Sequence, residues 1–274
     1  MTRTLKIIIT VFFIISFAGC SLFSRRYTKN ISGESRVTAT GKTSFKLDNT
    51  NGRIKIAHTD EPFIIIKYDA SMKVKKNDMD DLSKNFTLRI DSMSSSVTVE
   101  SEIPEEHGIM IFEHSVKINY EIFLPDGIDV SIDNVNGNLI FDKMTNNITV
   151  DLVNGNVDFI EDSGNSKVDI TNGSFHGVVD STRGMNIDIT NGNIRLNTKK
   201  YFAGEVTANV MHGKFTHEGI EFTKVKNNSE KDNFGEKDFY GEIGTSGSKL
   251  RFNITNGNIN ITSLEKNITT IEKK

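Results

Sequence analysis

Val168-Asp169-Ile170-Thr171-Asn172-Gly173-Ser174-Phe175 is followed nineteen residues later by Ile187-Asp188-Ile189-Thr190-Asn191-Gly192-Asn193-Ile194, and this recurring pattern decides the fold. Apolar residues stand two and four positions before each Asn and three after it, so apolar and polar side chains alternate on both sides of the dipeptide. Alternation of this period is the mark of half-buried strands. Asn-Gly suits the corner between them, because Gly takes positive φ without penalty and Asn tolerates it better than most residues.

The same dipeptide recurs at Asn136-Gly137 and Asn154-Gly155, giving steps of 18, 18 and 19 residues. His212-Gly213 follows after 21 more, Asn256-Gly257 after a further 44, and Asn51-Gly52 stands alone near the start. The flanking positions repeat with it. Leu152, Ile170, Ile189, Val210 and Ile254 lie two before, and Ile54, Leu139, Val157, Phe175, Ile194, Phe215 and Ile259 lie three after. A fixed period of this size signals a repeat architecture.

Two architectures fit the pattern. In a meander each Asn-Gly closes a hairpin between antiparallel neighbours; in a β-solenoid each repeat is one coil, stacked about 4.8 Å from the next. A meander has no need to keep one turn chemistry at only one of its two ends. The expectation is therefore an all-β, single-stranded β-solenoid (β-helix) of about 18–22-residue Asn-Gly coils, with a less regular β-rich N-terminal portion. In that stack Asn136, Asn154, Asn172, Asn191 and Asn256, with Gly137, Gly155, Gly173, Gly192 and Gly257, form a turn ladder whose amides hydrogen-bond from coil to coil.

The chain begins with a leader-like segment. Arg3 and Lys6 form a positive region, Ile7 to Phe17 an apolar core, and Phe17-Ala18-Gly19-Cys20 a small-residue cleavage site. The segment resembles the lipobox of bacterial lipoproteins, with Phe17 where Leu is usual. The resemblance implies lipidation of Cys20, the single cysteine of the chain. No intramolecular disulfide then contributes to stability. Membrane attachment would run through lipid chains, each buried methylene adding about 0.8 kcal/mol. By analogy with Gram-negative sorting, Ser21 does not retain the protein at the inner membrane, which places it in the envelope, at the outer membrane of such a host.

Residues 1–19 read as signal peptide, 20–36 as tether, and 37–127 as the irregular β-rich portion, with a short helix expected from Asp78 to Asn85. Residues 128–263 read as the regular coils, interrupted by a charged insertion loop at 221–238, and 264–274 as the tail. Losing Arg3 and Lys6 with the leader leaves 31 basic against 36 acidic residues, a net charge near −5. No polybasic patch for nucleic acid is present.

The Leu124-Pro125-Asp126-Gly127 turn, the Asn-Gly sites and Gly241-Glu242-Ile243-Gly244-Thr245-Ser246-Gly247 occur in one order over residues 40 to 263. With the lipobox they resemble the DUF4097 family of candidate adhesins. That resemblance implies a β-solenoid at the cell surface or in the envelope and brings no catalytic residues with it.

Candidate chemistry lies in columns. Asp133, Asp151, Asp169 and Asp188 stand three before their Asn and point outward, as do Asp48, Asn209 and Asn253. Stacked carboxylates repel, and they are relieved by a bound cation, by raised pKa values, or by Lys46, Lys167 and Arg251 in the next column. Screening by water and salt makes a solvated acidic ribbon the expected state. No metal or cofactor is assigned, since the Gly-Gly-x-Gly-x-Asp repeat of calcium-binding solenoids is absent. His58, His107, His114, His176, His212 and His217 are scattered, and neither Gly-x-Ser-x-Gly nor a phosphate loop occurs.

The functional expectation is a non-catalytic envelope lipoprotein that presents its surface for adhesion, scaffolding or sensing, to a protein or glycan partner. The alternative is a carbohydrate-active β-helix enzyme with paired carboxylates in a groove. Against it stand the absence of Trp, only five Tyr, and acids spread evenly by repeat position.

Overall fold

Alternation around each Asn-Gly produces strands, as the burial of their side chains shows. The computed structural model describes residues 26–75, 87–102, 115–179, 181–199, 202–228, 237–244 and 247–264. Asn-terminated strands β2 (Ser44–Asn51), β8 (Asp129–Asn136) and β10 (Ile148–Asn154) are followed past the glycine by β3 (Ile54–His58), β9 (Leu139–Asp142) and β11 (Val157–Ile160). In β12 (Asn165–Val179), β13 (Gly184–Thr198), β14 (Gly204–Glu218) and β17 (Ser248–Ser263) the two halves form one strand. Val150, Leu152, Val157 and Phe159 are buried along one unit, and Ile187, Ile189, Ile194 and Leu196 along another.

The units lie side by side, parallel and in register. Asp133, Asp151, Asp169 and Asp188 are successive partners, as are Asn136, Asn154, Asn172 and Asn191. The halves before the corner form one row, β2-β8-β10-β12-β13-β17-β14. Those after it form a second, which begins β3-β9-β11 and continues along the same long strands. Phe141, Phe159 and Phe175 fill the space between the rows edge to face, with ring centroids 5.0 and 5.1 Å apart. Gly177, in register with Phe159, leaves the room that the Phe175 ring takes.

Strands outside the Asn-Gly pattern close the ends. β6 (Ser96–Glu102) adds parallel to β2, and β5 (Thr87–Ser92) antiparallel to β6. On the second row β7 (Ser115–Leu124) lies parallel to β3, and β4 (Phe63–Lys75) and β1 (Arg26–Thr38) follow antiparallel. At the far end β14 carries β16 (Lys237–Ile243) and β15 (Thr223–Asn228), again antiparallel. Residues 223–228 of the charged insertion are thus strand, and the expected tether over 20–36 is strand from Arg26 onward. The helix expected over 78–85 lies outside the described residues.

The single-stranded β-solenoid is corrected by this topology. Among the described residues all strands belong to one 17-stranded sheet that mixes parallel and antiparallel neighbours and curves into a nearly closed, barrel-like form. Its order is not chain order either. The last unit, β17, sits between β13 and β14, so the His212 strand lies outside the Asn256 strand. The physical reason is twofold. Alternation reports which face a residue occupies, not which strand lies beside it. A His also has no amide to donate and accept in an Asn ladder, and it is accommodated at the ladder's end.

Candidate functional site

The outward side chains of the first row form a groove of about 1010 Å³, lined along its length by the aspartate column. In register from one end stand Glu100, Asp48, Asp133, Asp151, Asp169 and Asp188, then Asn253, Asn209 and Asp238. Six carboxylates therefore occupy consecutive strands at a spacing of about 4.8 Å. Glu100 and Asp238 were not legible from the Asn-Gly frame, because neither β6 nor β16 carries the dipeptide.

Relief of the repulsion is uneven. Lys46 reaches Asp48 at 3.2 Å and Asp133 at 3.4 Å, and Lys167 reaches Asp169 at 2.8 Å. Asp188 accepts from Asn186 Nδ2 at 3.1 Å and from Asn253 Nδ2. Arg251 is in register with Asn186, on a strand whose groove residue is Asn253. Asp151 has Thr149 two residues before it; of the adjacent strands, β12 carries Lys167 at that position and β8 carries Ser131. Burial, then the charges of Asp169 and Asp133, raise its pKa against the pull of Lys167. The Asp48 carboxyl is also raised, chiefly by burial and with Asp133 adding to it, while Lys46 opposes the shift. Among the described residues no group of three His, Cys, Asp or Glu side chains is placed to hold a metal ion.

The corner beside the groove is a continuous amide ladder. Nδ2 of Asn136 donates to Oδ1 of Asn51 at 2.9 Å, and Asn154 to Asn136, Asn172 to Asn154, Asn191 to Asn172 and Asn256 to Asn191 follow at 2.9–3.1 Å. A second ladder runs two residues later. Asn138 Oδ1 accepts the backbone N–H of Asn156, Asn156 that of Ser174, Ser174 Oγ that of Asn193, Asn193 that of Asn258, and Asn258 that of Lys214. Its signal was present in the Asn-Gly-Asn triplets at 136, 154, 191 and 256. Between the ladders the glycines stack with φ of +140 to +154°, each so close to the next that a Cβ would overlap its neighbour's carbonyl.

Replacing Asn172 and Asn191 together by Ala removes three ladder bonds. At about 1 kcal/mol each, the melting temperature should fall by roughly 5–10 °C. Calorimetry of the double variant measures this, and an unchanged transition would mean that the ladder contributes nothing to stability.

One acid lies apart from the groove. Asp162, 3% exposed in the turn between β11 and β12, accepts the Met144 N–H through Oδ1 at 2.7 Å, while Oδ2 is buried without a partner among the described residues. Burial pushes its pKa up to about 7, the Met144 hydrogen bond opposes this, and Asp142 adds to it.

The histidines do not converge. His58 stands 3.1 Å from Asp60 and 3.2 Å from Asp126, His176 lies beside Asp158 and Asn197, and His217 packs edge-on against Phe222. His107, His114 and Cys20 lie outside the described residues.

No family model matches the chain, and no curated protein matches it in sequence. Among solved structures it is similar to a candidate cell adhesion protein from Clostridium sporogenes, at 17% identity and a TM-score of 0.44, over 86% of this chain and 100% of that one. A candidate adhesin from Bacteroides fragilis matches at 11% identity and a TM-score of 0.31, over 85% and 97%. A candidate lipid-binding protein from Parabacteroides distasonis matches at 8% identity and a TM-score of 0.25, over 87% and 97%.

Proposed function

We propose that the protein is a non-catalytic envelope component of the DUF4097 kind, anchored through a lipidated Cys20, that presents its ladder face for adhesion, scaffolding or sensing. The observation that carries this reading is the groove. The same side chain recurs on consecutive strands along one open face, a surface suited to an extended partner contacted at many equivalent points. The arrangement suits hydrolysis poorly. A glycosidase sets two carboxylates about the scissile bond in distinct environments, whereas these acids stand in one file and several are held by lysine or asparagine.

Two measurements test the proposal separately. Cys20→Ala should abolish incorporation of labelled fatty acid and release the protein from the membrane fraction; retention with label would remove the anchor. Beads coated with purified protein should adhere to envelope preparations, and Asp133→Asn/Asp151→Asn/Asp169→Asn together should lower retention severalfold while the melting temperature holds. Undiminished retention would remove the groove from the reading. Reducing-end release from a polysaccharide panel would replace it with an enzyme.

A further inference from the structure

The ladder places six Asn-Gly dipeptides, the sequence most prone to intramolecular attack on an amide, in one exposed or half-exposed column. The reaction needs the glycine nitrogen to reach the Asn Cγ. A new N–C bond forms, the Cγ–Nδ2 bond breaks, and ammonia leaves, taking its third hydrogen from the glycine N–H. The succinimide ring then adds water at either carbonyl and opens to aspartate or isoaspartate.

In the folded chain both partners are occupied. Gly52 N–H donates to the Asn136 carbonyl at 2.9 Å, Gly137 N–H to Asn154 at 2.9 Å and Gly155 N–H to Asn172 at 3.0 Å. The parallel register continues through Gly173, Gly192 and Gly257. Each Asn side chain is held by an amide–amide hydrogen bond to the Asn of a neighbouring strand, so its Cγ is not free to turn onto its own glycine nitrogen without breaking the ladder.

We propose that the Asn-Gly column is a set of latent modification sites, inert while the sheet is closed and convertible when it opens, and that conversion bars return to the native fold. An aspartate in the column sets a carboxylate oxygen against the Oδ1 it should donate to. An isoaspartate adds a methylene to the backbone beside glycines whose corner has no room for a Cβ. The column thereby records time spent unfolded.

Purified full-length protein is incubated in mildly alkaline buffer with and without denaturing urea, and samples are drawn over time. Peptide mass mapping counts acid and isoaspartate at each of the six sites, and dilution from urea gives the refolded yield. Conversion is expected to be at least roughly tenfold slower in the folded chain, the factor being set by the free energy of local opening. Refolded yield should fall in step with conversion, and refolded molecules should be depleted in converted sites. Equal conversion rates in the two states would overturn the protection. Converted chains that refold with an unchanged melting temperature would overturn the barrier to return.

Discussion

Gly173→Ala is expected to leave no stably folded protein. At this corner φ is +153°, which L side chains rarely adopt, and an added Cβ would overlap the Gly155 carbonyl oxygen and lie 2.7 Å from its carbon. Gly192 packs on Gly173 in the same way, so a shift of Gly173 to relieve the overlap disturbs the next corner. The neighbour is backbone within a register fixed on both sides, and it has no rotamer through which to yield. The cost exceeds the roughly 4–5 kcal/mol at which single substitutions become exceptional. Gly127→Ala is the matched control. Its φ is +81° but none of the described residues lies within 4 Å of the added atom, so it carries only the left-handed backbone cost of about 1–2 kcal/mol. Urea titration of both variants compares them. Similar midpoints would mean that the corners do not stack.

Asp162→Asn should flatten the dependence of stability on pH. In the unfolded chain this carboxyl titrates near its ordinary 3.8, and in the folded chain it holds its proton to about pH 7. Between those values the folded state binds more protons than the unfolded state, so stability falls as pH rises. Below the window both states are protonated, and above it both are ionised with the penalty complete, at most about 4 kcal/mol. Asn keeps the oxygen that accepts from Met144 but leaves a buried amide to be satisfied, so the informative quantity is the slope, not the absolute stability. Wild-type melting temperature should decline from pH 4 to about 7 relative to the variant. Parallel curves would place the titration elsewhere.

The extent to which the sequence foretold these features follows from what alternation encodes. Parity places Leu152, Val157, Ile170 and Phe175 inside and Asp151 and Asp169 outside, and the structure puts them there. Parity says nothing of neighbours. The antiparallel strands β1, β4, β5, β15 and β16, and the seat of β17 between β13 and β14, depend on contacts far apart in sequence. His212 was the one local clue to that seat, as the column member that cannot extend an amide ladder. The groove was legible as five outward aspartates, Asp133, Asp151, Asp169 and Asp188 in one stack with Asp48 in the isolated N-terminal copy, but not as six carboxylates, because the strand of Glu100 lacks the dipeptide. Asp162 left no trace at all, since Asp-Ser-Gly reads as an ordinary solvated turn until Met144 is found against it.

The seat of β17 is open to a direct test by disulfide formation, in a background where Cys20 is replaced by Ser. Asn186 and Arg251 are register partners on β13 and β17, and Thr207 and Arg251 on β14 and β17. Neighbouring strands about 4.8 Å apart lie within disulfide reach, whereas strands two spacings apart exceed the roughly 7 Å limit. Under mild oxidation Asn186→Cys/Arg251→Cys and Thr207→Cys/Arg251→Cys should cross-link, and Asn186→Cys/Thr207→Cys should not. A cross-link in the last pair without one in the first would put the strands in chain order and contradict the fold described.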